Sequence, residues 1–186
     1  MVGAHGLRGA ELAEVFPLVD NHPDVAGLLS DRAILPRIAA ALADPFRSLG
    51  VTKVVGPETR GMVMGALVAA ELSAGLVCAR RVGSNHPGSD ITVTSDPSWT
   101  GVAQQFQLRS FDLSANDVVI AVDDWITTGS SLRAVVAAIG QTEASYLGAS
   151  VIVDKSTDDV LDELSAQTLV SFDSIGQTPL QDHPTR

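Results

Sequence analysis

Residues 118–131 read VVIAVDDWITTGSS: a continuous apolar run, two adjacent acids, and a short loop of Thr, Gly and Ser. The β-branched run Val118–Val122 is typical of a strand that is buried on both faces of a parallel sheet. Asp123 and Asp124 follow at its carboxyl end, where open α/β sheets bind their ligands. The stretch therefore predicts an α/β fold with a ligand site at this strand end.

The loop after the two acids is predicted to bind a phosphate group. This phosphate loop consists of Thr127, Thr128, Gly129, Ser130 and Ser131. It precedes an apolar segment with helical spacing, and the first N–H groups of a helix are unpaired and suit an anion. Two acids beside it suit the hydroxyls of a ribose, often with a hard divalent cation between them. A simple helix cap is the alternative, but capping does not account for two acids after a buried strand.

A second loop, at residues 56–61, reads GPETRG and also follows a predicted strand. Its Pro and two Gly permit a tight turn into a helix, and Arg60 offers a planar set of donors that fits phosphate or pyrophosphate. Arg80 and Arg81 follow another predicted strand, Gly75–Ala79. Two adjacent cations in an acidic chain suit an anion. A plain turn with a surface Arg and a solvated strand end are the alternatives.

Taken together, the motifs resemble those of the type I phosphoribosyltransferases, most closely the enzymes that use purines such as adenine or xanthine. Residues 118–131 are similar to the family's signature of four apolar residues, two acids and a Thr-Gly loop. The GPETRG loop is similar to the G-x-E-x-R-G pyrophosphate loop of adenine phosphoribosyltransferases. The resemblance covers roughly residues 20–172. It implies a three-layer, Rossmann-like fold with a parallel sheet, a flexible lid loop and a small hood.

The resemblance also implies a role for each candidate residue. Asp123 and Asp124 would be the catalytic acids that hold the ribose hydroxyls, directly or through Mg²⁺, while the phosphate loop holds the 5′-phosphate. In the family a basic pair often reaches the pyrophosphate across a dimer interface, which implies a homodimer. Trp125 departs from the motif, since this position more often holds a small or aliphatic residue. The implied pyrophosphate ligands are Glu58, Thr59, Arg60, Arg80 and Arg81.

Residues 82–103 are predicted to form the lid. They are rich in Gly, Ser and Pro without helical spacing, and Ile91–Thr94 is long enough only for a hairpin arm. Loops of this length in a compact domain usually carry function, and the resemblance implies a cover that excludes water. The Glu-Tyr-Gly segment that adenine enzymes normally carry here is missing. His86, Asp96 and Trp99 are the nearest candidates for an acid or base.

Two segments bear on the base, and they indicate different purines. Residues 21–29, with Val25 as the candidate contact, loosely resemble the hood of adenine phosphoribosyltransferases, to which residues 1–19 would also belong. Residues 151–156 resemble a strand end of xanthine phosphoribosyltransferases, where a Lys approaches an oxygen of the base. Lys155 can only donate hydrogen bonds, which favours a 6-oxopurine over adenine. The alternatives are a Pro-turned connection and a Lys155 that merely pairs with Asp154 or Asp158.

Length and composition predict one domain spanning residues 1–186, with a poorly ordered tail from residue 175. The formal net charge of −10 argues against binding to nucleic acid or to a membrane surface. No apolar run approaches membrane-spanning length, and no signal-peptide pattern opens the chain. The single cysteine, Cys78, cannot form an internal disulfide, which is consistent with the cytoplasm.

Helical and strand patterns alternate along the chain, which predicts a parallel sheet. The predicted helices are Asp31–Arg47 with Ser30 as its cap, Gly61–Ser73, Ser130–Gln141 and Asp158–Leu164. The predicted strands, besides those already given, are Thr52–Val55, Gln104–Arg109, Leu147–Asp154 and Thr168–Phe172.

The sequence therefore predicts an enzyme that transfers the 5-phosphoribosyl group of phosphoribosyl pyrophosphate to a purine base, with Mg²⁺ as cofactor. Adenine is slightly favoured, and Lys155 supports xanthine or another 6-oxopurine. A regulator that binds phosphoribosyl pyrophosphate or a nucleotide without catalysis is one alternative, because the Glu-Tyr-Gly segment is missing. A pyrimidine enzyme of the orotate type is the other, and it fits the GPETRG loop less well.

Overall fold

The computed structural model describes residues 6–98 and 101–176. Its helices are α1 (Gly9–Val15), α2 (Val25–Ser30), α3 (Leu35–Ala43), α4 (Arg60–Leu72), α5 (Ser130–Ile139) and α6 (Asp158–Glu163), with 3₁₀ turns at Asp44–Phe46, Ser110–Asp112 and Phe172–Ser174. Its strands are β1 (Leu18–Val19), β2 (His22–Pro23), β3 (Lys53–Pro57), β4 (Gly75–Arg81), β5 (Ile91–Thr94), β6 (Gln105–Leu108), β7 (Val118–Ile126), β8 (Ser145–Asp154) and β9 (Ala166–Ser171). No helix within these two ranges is both long and apolar enough to cross a membrane.

Seven strands form the main sheet, in the order β5-β6-β4-β3-β7-β8-β9. The strands from β4 to β9 in this order are parallel, whereas β6 and β5 are antiparallel additions at one edge. The α/β class and the central parallel sheet are confirmed, and the antiparallel edge contains the predicted hairpin arm, Ile91–Thr94. Antiparallel neighbours need no helical crossover, and the described residues between β5 and β6, 95–98 and 101–104, form no helix.

The central strands alternate their side chains between two apolar cores, one on each face of the sheet. Val54 and Ile120 pack in the core that includes residues of α1, α3 and α4. Val55 and Ala121 pack in the other core, with residues of α5. Because successive residues are buried on opposite faces, these strands appear as continuous apolar runs in the sequence. Helices cover both faces, so the three-layer architecture is confirmed.

Strand β7 runs further than its apolar segment. The sequence predicted its end at Val122, but parallel pairing with β8 continues at Asp123, opposite Val151, and at Trp125, opposite Val153. The backbone of the acid pair is therefore held within the sheet, and the loop begins only after the acids.

The helix predicted over residues 31–47 is shorter, and its predicted cap is wrong. Asp31 accepts the backbone N–H groups of Ala33 and Ile34 at 2.7 and 3.3 Å, so it organises the turn that precedes α3. Ser30 is instead the last residue of α2. An Asp carboxylate can accept several unpaired N–H groups at once, which explains why Asp31, and not Ser30, organises this turn.

The chain before α2 contains a two-stranded hairpin that forms the hood. Strands β1 and β2 pair across Asp20 and Asn21, whose φ angles are +48° and +64°. Positive φ at both central residues is what a type I′ hairpin turn requires, and Asp and Asn tolerate it better than most residues. The small hood of the predicted fold is present, and it is built on this turn.

The predicted lid, residues 82–103, is partly sheet. Ile91–Thr94 forms β5, which confirms the prediction of a hairpin arm. Ser95 is buried, and its hydroxyl accepts the backbone N–H of Gln104 at 2.9 Å. These contacts join the second half of the segment to β6 at the edge of the main sheet. Trp99 lies outside the described residues, and the flexibility of the lid stays a prediction.

Candidate active site

A cavity of about 920 Å³ opens at the carboxyl ends of β3 and β7. The chain continues from β3 to β4 on one side and from β7 to β8 on the other, so the strand order reverses here and leaves a crevice. The predicted residues that line the cavity are Glu58, Thr59, Arg60, Arg81, Asp123, Asp124, Thr127, Thr128, Gly129, Ser130, Ser131 and Lys155. His22 and Pro23 line the cavity from the segment predicted as the hood, and Ser98 lines it from the predicted lid. Gln104 and Phe172 also line it, and no sequence pattern indicated them as site residues.

The acid pair lies at the centre of this set. Asp124 is buried, and its carboxylate forms an ion pair with Arg60, whose side chain is 58% exposed. Asp123 is half-buried, and its Oδ1 accepts the backbone N–H of Asp124 at 2.9 Å. Burial and the neighbouring charge of Asp124 raise the pKa of Asp123 well above its ordinary value of 3.8. The two acids therefore differ: one is paired with a cation, and the other holds its proton more tightly than usual.

The phosphate loop joins β7 to α5 and is packed from behind by α6 and the residue after it. Gly129 has a φ of +74°, and a Cβ there would lie 2.8 Å from Val160 Cγ1 and 3.2 Å from Leu164 Cδ1. Both the backbone conformation and the lack of space require glycine. The loop meets the cavity at the start of α5, where unpaired helix N–H groups and the positive end of the dipole favour an anion.

Arg133 connects the phosphate loop to α6. Its Nε and Nη2 donate to the two carboxylate oxygens of Glu163 at 2.8 and 2.7 Å, and its Nη1 donates to the backbone carbonyl of Thr128. A two-bond pairing of this kind fixes the plane of the guanidinium group. The sequence analysis missed both residues, because partners that lie far apart in the chain leave no local pattern.

The GPETRG loop makes a tight turn from β3 into α4. A Cβ at Gly56 would lie 2.3 Å from the carbonyl oxygen of Gly61, and a Cβ at Gly61 would lie 2.9 Å from Asp123 Oδ1. Both glycines are therefore needed for close packing, and Gly61 packs against the acid pair itself. Thr59 and Arg60 are exposed at the start of α4 and line the cavity. The two motifs, far apart in sequence, thus meet at Asp123.

Glu58 contacts the end of β4. Its Oε2 accepts Arg80 Nε and the backbone N–H of Arg81, each at 2.9 Å, and the hydroxyl of Ser84 at 3.0 Å. The bond from the Arg81 N–H, with those from Arg80 and Ser84, lowers the pKa of Glu58. Arg80 is held by Glu58 and is absent from the cavity lining as described, whereas Arg81 lines the cavity.

Two aromatic rings border the cavity beside Lys155. The ring centroids of Trp125 and Phe172 are 5.9 Å apart, and Lys155 Nζ lies 4.0 Å from the centroid of the Phe172 ring. Asp154, one alternative partner of the lysine, instead accepts the backbone N–H and the hydroxyl of Ser156 at 2.8 and 2.7 Å. The lysine therefore contacts an aromatic face at the cavity, which is a favourable cation–π arrangement.

The hood contributes His22 and Pro23 to the cavity lining, and the placement of Val25 differs from the prediction. Val25 is the first residue of α2, and its side chain is 4% exposed within the apolar core. An apolar side chain gains more from the core than from an open cavity, which accounts for this placement.

Two of the three lid candidates, His86 and Asp96, are among the described residues. His86 is half-buried, and burial together with the charges of Arg109 and Arg80 lowers its pKa. Asp96 is exposed on the segment after β5. Neither is among the lining residues, whereas Ser98 and Gln104 of the same region are.

One cavity at the switch point of a parallel sheet thus brings together a neutral anion-binding loop, an acid pair and two exposed arginines. This combination in an α/β protein suits a sugar phosphate that carries a further anionic group. A family model described as "Phosphoribosyl transferase domain" matches residues 25–182. The chain therefore belongs to the phosphoribosyltransferase family, and the resemblance found in the sequence is confirmed.

Individual relatives agree with the family match. The chain is 31% identical over 131 residues to the adenine phosphoribosyltransferase of Streptomyces avermitilis, covering 70% of each protein. It is 34% identical over 131 residues to that of Pectobacterium carotovorum, covering 70% of this chain and 69% of the relative. Among solved structures, the APRTase of Giardia lamblia complexed with 9-deazaadenine has a TM-score of 0.76 at 22% identity, covering 87% of this chain and 96% of that one. The adenine phosphoribosyl transferase of Trypanosoma brucei, in complex with AMP, pyrophosphate and ribose-5-phosphate, has a TM-score of 0.71 at 19% identity, covering 88% and 75%. Both structures share the fold.

Proposed function

We propose that this chain transfers the 5-phosphoribosyl group from phosphoribosyl pyrophosphate to a purine base, with adenine as the favoured acceptor. The products are a nucleoside 5′-monophosphate and pyrophosphate, as in purine salvage. The observation that carries the proposal is the meeting of the phosphate loop, the acid pair and the GPETRG loop at one cavity. The adenine phosphoribosyltransferases that match most of the chain support adenine as the acceptor.

Each wall of the cavity has a part in this reaction. The phosphate loop binds the 5′-phosphate, and Asp123 and Asp124 orient the ribose and stabilise the positive charge that develops on its ring. Arg60 and Arg81 bind the pyrophosphate and stabilise the charge that it takes up on leaving. Arg60 exchanges its carboxylate partner, Asp124, for phosphate oxygens when the substrate binds. No covalent bond to the protein is needed, so positioning is the main catalytic contribution.

Mg²⁺ is the cofactor that the family implies. Within residues 6–98 and 101–176, no group of three or more His, Cys, Asp or Glu side chains could hold a metal by itself. Asp123 and Asp124 fit an ion that takes most of its ligands from substrate oxygens and water, as Mg²⁺ commonly does. When bound, such an ion would neutralise part of the pyrophosphate charge.

The aromatic border of the cavity suits a flat base. Trp125 and Phe172 offer ring faces for stacking, and His22 and Pro23 of the hood border the same space. A second candidate acceptor, a 6-oxopurine such as xanthine, is favoured by Lys155. Its ammonium group only donates, so it complements a base oxygen and not the exocyclic amine of adenine.

We also propose that the protein works as a homodimer in the cytoplasm. Arg81 stands next to Val82, and Val82 and Val102 are 47% and 60% exposed, so a second copy could cover apolar surface there. Cys78 is free and half-buried, which agrees with a reducing compartment. Light scattering of the purified protein tests the assembly, and a monomer mass at the concentration of the assay would contradict it.

Pyrophosphate release is the direct test of the proposed reaction. The protein is incubated with phosphoribosyl pyrophosphate, Mg²⁺ and, in turn, adenine, hypoxanthine, guanine, xanthine, orotate and uracil. We expect release with adenine and none with the pyrimidines. Release with xanthine or another 6-oxopurine alone would select the acceptor that Lys155 favours. Binding of phosphoribosyl pyrophosphate without release for any base would contradict transfer and support the regulator.

A further inference from the structure

We infer that Glu58 is a positioning residue, which fixes the end of β4 and the start of the lid so that Arg81 borders the cavity. The inference rests on the proposed function. It replaces the role of pyrophosphate ligand that the family resemblance implies for Glu58 with that of a support for the ligand beside it.

The contacts of Glu58 all point to this role. Its carboxylate accepts hydrogen bonds from the side chain of Arg80, from the backbone of Arg81 and from the hydroxyl of Ser84, at 2.9, 2.9 and 3.0 Å. Its own backbone N–H donates to the Ala79 carbonyl at 2.8 Å. Backbone and side chain of one residue therefore hold the GPETRG loop to the last residues of β4.

Charge also separates the roles of Glu58 and its neighbours. A carboxylate repels pyrophosphate unless a cation lies between them. Arg80 forms an ion pair with Glu58, and the side chain of Glu58 is only 20% exposed. With this pair neutral, Arg60 and Arg81 remain as the arginines that line the cavity.

Ser84 extends the network into the lid. Gln107, on β6, donates from Nε2 to the Ser84 carbonyl at 2.8 Å and to the Arg81 carbonyl at 3.3 Å. Its Oε1 accepts the hydroxyl of Ser89 at 3.0 Å. A continuous set of hydrogen bonds thus runs from Glu58 through Ser84 and Gln107 to the segment that leads into β5.

Glu58→Gln is the sharpest probe of this network. The hydrogen bonds lower the pKa of Glu58, so its carboxylate is the charged acceptor that the three donors require. Glutamine keeps the size of the side chain, but it has one acceptor oxygen and presents an NH₂ group to donors. In the structure one oxygen, Oε2, accepts both Arg80 Nε and the Arg81 N–H. A glutamine oxygen in its place could still accept both, but without the negative charge that strengthens these bonds.

The experiment measures the binding of two fragments by titration calorimetry: pyrophosphate with Mg²⁺, and ribose 5-phosphate. We expect Glu58→Gln to bind pyrophosphate about tenfold more weakly, since charge-assisted hydrogen bonds are lost. Ribose 5-phosphate affinity should be unchanged, because the phosphate loop is a separate segment. In steady-state assays the KM for phosphoribosyl pyrophosphate should rise more than kcat falls.

Two further variants make the test specific. Asp112→Asn is the matched control, because Asp112 also accepts an arginine Nε, that of Arg109 at 2.7 Å, without lining the cavity. It should bind both fragments as the wild type does. Ser84→Ala removes one of the three donors, and we expect it to weaken pyrophosphate binding about threefold. It also keeps the inference testable if thermal unfolding shows that Glu58→Gln does not fold.

The outcomes separate this inference from the proposed function. A wild-type protein that binds neither fragment would overturn the proposed function itself. Full pyrophosphate affinity in the folded variants, with both fragments binding to the wild type, would overturn the positioning role alone. An equal loss of affinity for both fragments would mean that Glu58 supports the fold in general, and it would overturn the positioning role as well.

Discussion

The phosphate loop and the arginine wall, formed by Thr59, Arg60 and Arg81, face the same cavity but are built in opposite ways. The phosphate loop is one uncharged segment. Two apolar side chains pack behind it: Val160, in α6, and Leu164, the residue that follows α6. The arginine wall draws on the GPETRG loop and the end of β4, and it contains and adjoins ion pairs: Arg60, within the wall, pairs with Asp124, and Arg80, next to the wall, pairs with Glu58. Close packing supports one wall, and charge supports the other.

This difference predicts which kind of substitution weakens ligand binding at each wall. A change that disturbs packing should harm binding of the ribose phosphate, because helix N–H groups bind an anion only when the loop presents them correctly. A change of charge should harm binding of the pyrophosphate, because arginine side chains depend on their partners for orientation. Binding of separate fragments can therefore tell the two walls apart.

The largest effect is expected from the acids that lie between the walls. In the double variant Asp123→Asn with Asp124→Asn, transfer should fall by at least about 10³-fold, since the ribose loses the charges that orient it. The phosphate loop should still bind ribose 5-phosphate, because its contacts with the 5′-phosphate do not involve the acids. Circular dichroism should be unchanged, because asparagine keeps the shape of the side chain. Pyrophosphate release at the wild-type rate would refute the role of the acids.

The next effect tests the packing of the phosphate loop. Gly129→Ala should weaken binding of ribose 5-phosphate about tenfold and leave pyrophosphate binding unchanged, because the new Cβ meets Val160. Gly50→Ala is the matched control: Gly50 has a φ of +70°, close to that of Gly129, and no atom lies within 4 Å of the added Cβ. Both variants bear the backbone strain, about 1–2 kcal/mol. Equal behaviour of the two in calorimetry would mean that packing behind the loop is unimportant.

The same contrast explains what the sequence could predict. Residues 118–131 contain the strand, the acids and the phosphate loop in one stretch, so a local pattern was enough to predict all three. The GPETRG loop was likewise visible, because its glycines are required by a turn that is complete within six residues. The fold class followed from the alternation of apolar strands with helical segments.

Features that depend on distant partners could not be predicted in this way. The length of β7 is set by pairing with β8 and not by its own apolar residues, so the predicted end at Val122 was too early. The partners of Arg80 and Arg133 are decided by which strand and helix ends meet. Phe172 joins the cavity only because β9 ends near Lys155. Val25 was predicted to contact the base from a loose resemblance, but its side chain is buried in the apolar core.

The charge of Asp123 is expected to lower the free energy of unfolding at neutral pH. The pKa of Asp123 is raised in the folded protein, so ionised Asp123 destabilises the fold relative to the unfolded chain. The penalty is full above the folded pKa and disappears as the pH falls below the ordinary value of 3.8. Asp123→Asn alone should therefore raise the free energy of unfolding at neutral pH by about 1 kcal/mol. Denaturant titrations at pH 7 and at acid pH measure this gain, and a gain that is independent of pH would contradict its origin in the charge.

The smallest effect is expected from the Arg133–Glu163 ion pair, which would help to hold the phosphate loop in place. Arg133→Gln removes the pairing with Glu163 and weakens the hold on the Thr128 carbonyl, so ribose 5-phosphate should bind about threefold more weakly, or about 0.6 kcal/mol. Arg47→Gln is the matched control, because Arg47 likewise contacts both a carboxylate oxygen and a backbone carbonyl, those of Glu71, away from the cavity.

If Arg133→Gln behaves like Arg47→Gln in calorimetry, apolar packing alone holds the phosphate loop, and the contrast between the walls is complete. If it weakens ribose 5-phosphate binding and spares pyrophosphate, the loop has one ionic support. That support would lie behind the loop, where it cannot compete with the substrate for phosphate oxygens. Arg60, by contrast, is paired with Asp124 inside the cavity, so its ion pair must be exchanged whenever the substrate binds.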